Sequence, residues 1–166
     1  MINYTDKGFG LNDAIIAAGH YAIPVNGVWH TSNDIAVQAI IDGYTLQQAK
    51  DHIKKLIDLY SASLRNALVA GISPGEMASW AIKRTEANLV GFSLNPADTK
   101  TLSDEAFHSG ETVAAIALRV KANATSYLTS ESFYSGRGRF HKNAVQALLT
   151  FPAVNNYNWS TGWTLV

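Results

Sequence analysis

The chain has 166 residues, 13 Lys and Arg against 13 Asp and Glu, and no cysteine. That length suits one domain or two small ones, with a core large enough to need no covalent staple. The missing cysteine excludes disulfides, Cys-based zinc sites, thiol catalysis and iron–sulfur clusters, and a net charge of zero argues against a protein devoted to phosphate backbones.

The start, Met1-Ile2-Asn3-Tyr4-Thr5-Asp6-Lys7, has neither the basic region nor the apolar run of a signal peptide. No window reaches the roughly 18 apolar residues of a membrane span. The expected product is soluble and made in the cytoplasm. Asn12 or Asp13 is placed to cap a short apolar helix, Ala14 to Ala18, that stops at Gly19. Asn26-Gly27 then sits between β-formers, where a type I′ turn needs positive φ at both positions, so a hairpin is predicted. Pro24 restricts its strand to an edge. Residues 1–31 therefore read as a short helix plus β-hairpin module, and 32–166 as a helical domain.

From Thr31 the apolar period becomes helical. Thr31-Ser32-Asn33-Asp34 has capping-box spacing before a helix that Gly43 closes. Thr45-Leu46-Gln47-Gln48 opens a longer one, with Leu46, Ala49, Ile53, Leu56, Ile57, Tyr60, Leu64 and Leu68 on one stripe. Ser73-Pro74-Gly75-Glu76 combines an N-cap, a first-turn proline and a third-position glutamate, and the helix it starts places Trp80 on its core stripe. Thr101 to Asp104 caps a short helix through Phe107, and Glu111-Thr112 starts a further long one. The glycines of Ser135-Gly136-Arg137-Gly138-Arg139 predict an interruption or bend there. Pro152 is expected to end that helix, and residues 155–163 form a turn-rich aromatic tail. The fold class is mainly α, with long antiparallel helices in a hairpin or bundle and a small N-terminal β-hairpin.

Chemistry-bearing constellations are sparse. The five histidines, His20, His30, His52, His108 and His141, never occur at the i, i+4 spacing of a helical metal site, and read as surface groups. No metal and no cofactor is expected. Glu76, Glu86, Asp104, Glu105, Glu111 and Glu131 would be the material for a glycosidase carboxylate pair, but helix capping accounts for Glu76, Asp104 and Glu111. Arg137, Arg139 and Lys142 form the one basic cluster, a candidate anion-binding site. Solvated or acid-paired side chains on a helix kink are the simpler reading.

The aromatic residues point to contacts instead. The charged fraction is 16%, where about 25% is usual. The uncharged stretches lie at the two ends of the chain, and they hold Trp29, Trp159 and Trp163. Together with Val28 and Tyr157, these are the candidate partner-binding residues, since aromatics dominate interface hot spots. The two ends packing on each other would use the same residues.

At Ile72-Ser73-Pro74-Gly75-Glu76-Met77-Ala78-Ser79-Trp80-Ala81-Ile82-Lys83 the chain resembles small proteins that phages and prophages encode near their tail-fibre genes, described as tail proteins of unknown function. Members carry proline where Ala81 stands, which implies a straighter helix here. The opening Met1 to Gly8, the Val25 to Trp29 hairpin, Ala36 to Thr45, Thr112 to Tyr127, Gly136-Arg137 and Tyr157-Asn158-Trp159 extend the resemblance over nearly the whole chain. His141 and the polar run Ser130 to Ser135 depart from it. The resemblance transfers no catalytic residue. It implies a non-enzymatic tail component or fibre-assembly chaperone, a homo-oligomer or a subunit of a larger assembly. It would act in the host cytoplasm during assembly or stay in the virion tail, with no membrane and no nucleic-acid partner. The other classes are a peptidoglycan hydrolase or its accessory, and a nucleic-acid-binding adaptor using the basic cluster.

Overall fold

The structure, a computed structural model, describes residues 1–93 and 95–165. It is mainly helical with a two-stranded antiparallel N-terminal hairpin, as the sequence predicts. The helices are α1 (Phe9–Ala17), α2 (Asp34–Gly43), α3 (Leu46–Ala67), α4 (Pro74–Leu89), α5 (Lys100–Ser109), α6 (Val113–Ala147) and α7 (Phe151–Asn155), with a 3-10 turn at Pro96–Thr99. The strands are β1 (Ala22–Val25) and β2 (Val28–Thr31). Two compact units emerge: Met1–Ala62 with Ser135–Thr164, and Ser63–Tyr134. Residues 1–31 thus share a unit with residues 32–62 and 135–164, while α3 and α6 each contribute to both units.

In the first unit, Leu11 and Ile15 of α1, Val37 and Ile41 of α2, Ala49 of α3 and Val154 of α7 form one buried cluster. α1 starts earlier than predicted, at Phe9 after Gly8, and neither Asn12 nor Asp13 caps it. Asp6 supplies the local bond by accepting the Gly8 amide at 2.9 Å. The hairpin turn forms as expected, with φ of 51° at Asn26 and 78° at Gly27. At α2 the cap is Asn33, whose Oδ1 accepts the Ile35 and Ala36 amides, and Thr31 instead donates to Asp34. Thr45 and Gln48 close the predicted capping box: Gln48 Oε1 accepts the Thr45 amide at 2.7 Å, and Thr45 Oγ1 accepts the Gln48 amide.

The first-unit portions of α3 and α6 pair antiparallel. Lys50 Nζ donates to the Gln146 carbonyl at 2.8 Å, Lys142 Nζ meets Asp58 Oδ1 at 2.7 Å, and Gly138 faces Ser61. Lys50 is buried despite its charge. Its stem lies in the packing and its ammonium reaches a helix carbonyl. Nor do the two glycines break α6, which runs unbroken from Val113 to Ala147. Tertiary packing outweighs the propensity cost of about 1 kcal/mol per glycine. Pro152 does not terminate α6 either. It sits in the first turn of α7, which Thr150 caps by accepting the Ala153 amide.

In the second unit, Ala87, Leu102, Ala106, Ile116 and Ala117 make a separate buried cluster from α4, α5 and α6. Ser73 caps α4 as predicted, with Oγ accepting the Glu76 amide at 3.1 Å, and α4 continues unbroken through Ala81. α5 begins at Lys100, before the predicted cap, and Asp104 does not cap it. Its first amides go to Glu86 of α4, which accepts from Thr101 at 3.1 Å and from Leu102 at 2.9 Å. Asp104 pairs with Lys100 one turn away. Glu111 takes Arg119 rather than a helix terminus, and Thr112 provides the side-chain cap of α6.

Candidate functional site

Three regions carry the exposed or polar chemistry: the hairpin and the aromatic tail in the first unit, and a cleft in the second. The hairpin register pairs Ala22 with Thr31, Ile23 with His30, Pro24 with Trp29, and Val25 with Val28. Alternation therefore splits it into two faces. One holds Ala22, Pro24, Trp29 and Thr31. Ala22 is buried, and Trp29 stacks on Tyr4 with centroids 3.8 Å apart and planes 16° from parallel. Burial there, and then the nearby Asp6 carboxylate, push the Tyr4 hydroxyl above its ordinary pKa. The other face presents Tyr21, Ile23, Val25 and Val28, each 42–52% exposed, together with His30 opposite Ile23. Of the predicted contact residues, Val28 is on the open face and Trp29 on the packed one.

The aromatic tail is folded back inside its own unit. Trp163 is only 6% exposed, stacks on His141 and meets Tyr60 edge-on. Its indole Nε1 donates to the Trp159 carbonyl at 2.8 Å, and Trp159 also meets Tyr60 edge-on. Tyr157 donates its hydroxyl to His141 Nδ1 at 2.8 Å, while His141 Nε2 donates to the Thr161 carbonyl at 3.0 Å. This pattern fixes the neutral tautomer with its proton on Nε2. His141 is 1% exposed, not a surface histidine. Burial first, and then the charge of Arg137, push its pKa below the ordinary imidazole value.

α6 distributes the basic cluster around its circumference, because successive residues are turned by about 100°. Arg137 Nη2 donates to the Thr161 carbonyl at 3.2 Å, and its guanidinium lies 4.6 Å from the centre of the Phe140 ring. Lys142 is paired with Asp58, and Arg139 is exposed. The three side chains have separate surroundings and do not converge on one anion.

In the second unit, a cleft of about 450 Å³ lies between α4 and α6, with α5 contributing Glu105. Trp80 lines it and is half-buried, not core as its stripe suggested. It meets Tyr127 edge-on, with centroids 5.5 Å apart and planes at 69°. On one wall Glu105 holds two cations. Its Oε2 lies 2.8 Å from Lys83 Nζ, and its Oε1 lies 3.6 Å from Arg119 Nη2. The Lys83 approach is off the hydrogen-bonding direction, so the buried Glu105 Oε2 receives no hydrogen bond. Arg119 also binds Glu111, and that bond holds the Glu111 carboxyl below its ordinary range. Of the other carboxylates in the sequence, Glu86 caps α5, Glu131 pairs with Arg65 and Asp104 with Lys100, while Glu76 lines the cleft outside this ion-pair network. Among the described residues no group of three His, Cys, Asp or Glu is arranged to hold a metal ion.

Sequence reasoning missed this cleft. The signal was the stripe Glu76, Trp80, Arg84 at successive i, i+4 positions of α4, facing Asn123 and Tyr127 of α6. Comparisons with protein-family models, curated proteins and solved structures return no match.

Proposed function

We propose that this chain is a non-enzymatic bacteriophage tail protein that works through protein–protein contacts, as a tail or tail-fibre component or as a fibre-assembly chaperone. The resemblance supplies the setting, and the open face of the hairpin is the observation that carries the reading. Tyr21, Ile23, Val25 and Val28 form an uncharged apolar strip on a two-stranded ribbon. Such ribbons are marginal in water by themselves, and clustered exposed apolar side chains mark interaction surfaces. The strip suits docking to an apolar patch on a tail polypeptide, with little charge to desolvate.

Co-expression with the tail-fibre polypeptide of the same genome tests this. The tagged chain should retain the fibre protein, and the double variant Val25→Lys, Val28→Lys should lose it while keeping its helical circular dichroism. Retention undiminished by both substitutions would remove the hairpin from the interface. Absence of any association with fibre or virion would end the tail assignment. Mass spectrometry of purified particles then separates the roles: a component is present in them and a transient chaperone is not. A peptidoglycan zymogram should stay blank.

A further inference from the structure

From the second-unit cleft we infer a binding site for an acidic sugar, a hexuronate-type ring bearing a single carboxylate. The volume of about 450 Å³ lies in the range of small-molecule sites, and all its lining residues fall within Ser63–Tyr134. Trp80 and Tyr127 supply the platform. Rings crossed at 69° make a corner whose faces accept the C–H side of a pyranose, through the same burial and polarizability that favour any apolar ring contact.

The polar groups around that platform select the ligand. Glu76 precedes Trp80 by one helical turn and Arg84 follows it by one, so an acceptor and a donor bracket the indole along one face of α4. Across the cleft, Asn123 offers both a donor and an acceptor. A hydroxylated ring satisfies such a mixture. A bare aromatic ring would strip water from these groups and replace none of it.

Charge then separates acidic from neutral sugars. Glu105 and Glu111 already hold Lys83 and Arg119. Among the described residues, the Arg84 guanidinium and the Glu76 carboxylate have no ion-pair or hydrogen-bond partner. A guanidinium presents the paired donors that a carboxylate accepts bidentately. One free cation with a carboxylate two turns away suits one negative charge rather than a phosphate dianion. This site does not rest on the tail assignment, and its chemistry would stand if that assignment fell.

Titration of the intact ¹⁵N-labelled chain with sodium glucuronate, glucose and sodium phenylacetate, at matched ionic strength, tests the site. The indole N–H signal of Trp80 is identified by its loss in Trp80→Phe. Glucuronate should shift that signal saturably, with glucose binding about tenfold or more weakly, the effect of one charge-assisted hydrogen-bond pair. Arg84→Gln, which keeps a hydrogen-bond donor and removes the charge, should bring glucuronate binding down to the level of glucose. Equal binding of the two sugars would overturn the acidic specificity. A Trp80 signal that ignores both sugars, or that responds to phenylacetate alone, would overturn the site. Neither result bears on capture of the fibre polypeptide by the hairpin.

Discussion

The imidazole of His141 lies against the indole of Trp163, with ring centroids 5.4 Å apart and planes 22° from parallel. Around this pair, Tyr157, Thr161 and Arg137 tie the tail to α6, and Tyr60 of α3 closes the other side. The imidazole is neutral in this setting, and its folded-state pKa lies below the ordinary 6.5. Between those two values the unfolded chain binds a proton that the folded chain does not. The contribution is therefore complete above 6.5 and is lost as pH falls through the folded-state value. Among the described residues, the charged or titratable groups acting on His141 are Arg137 and Tyr157, and neither is a carboxylate that would rescue the imidazolium. Thermal unfolding at about pH 8 and about pH 5 should show lower stability in acid. His141→Gln should flatten that part of the profile. An unchanged slope in the variant would assign the acid loss to other groups.

Glu86 makes a second long-range tie, entirely within the other unit. Its two oxygens accept the first free amides of α5, a capping duty done by a side chain from α4. Glu86→Ala leaves two N–H groups without their acceptor and should destabilise that unit by about 1–3 kcal/mol. Hydrogen exchange should locate the loss at the Thr101 and Leu102 amides. Exchange there at the parent rate would show that water or Thr99 substitutes fully.

Local rules were legible and long-range ones were not. Asn26-Gly27, Ser73-Pro74 and Thr45 with Gln48 specify their turn and caps through neighbours in the chain, so their geometry follows from spacing alone. Glu86 over α5, Lys50 on the Gln146 carbonyl and His141 beneath Trp163 depend on partners that spacing does not reveal. A charged or titratable residue is read as exposed until its partner is known. The continuity of α6 through Gly136 and Gly138 was hidden for the same reason: propensity is a weak prior against packing. In the cleft, the Trp80 stripe was visible in the sequence. Its solvent-facing side was not, because a periodic aromatic looks the same on either side of a helix.

Tyr4 and Trp29 test the packed face of the hairpin. Their stacking at 3.8 Å joins the N-terminal residues to β2. Tyr4→Ala should expose the indole and shift the Trp29 contribution to the fluorescence to longer wavelength. The cost should be about 0.5–1.5 kcal/mol beyond the lost burial. The difference spectrum between the parent and Trp29→Phe isolates that contribution, and an unshifted Trp29 emission in Tyr4→Ala would mean that Ala22 and Pro24 suffice to seat the ring.

Gly136 and Gly162 should respond to alanine in opposite directions. Gly136 is inside α6, and a methyl group there meets nothing within 4 Å. Gly136→Ala removes backbone freedom from the unfolded chain without a clash, and should stabilise by about 0.5–1 kcal/mol. Gly162 has φ of 74°, a left-handed conformation, and a methyl group there would collide with the Arg137 guanidinium. Arg137 would have to leave the Thr161 carbonyl, which also accepts from His141. Strain of about 1–2 kcal/mol from the backbone adds to that lost bond. Gly162→Ala should therefore lower the melting temperature and move the Trp163 indole signal, whereas Gly136→Ala should raise the first and leave the second in place. A destabilised Gly136→Ala would show that a neighbouring side chain of this same chain crowds that face of α6, and retention of the Trp163 signal in Gly162→Ala would detach the tail from the Arg137 contact.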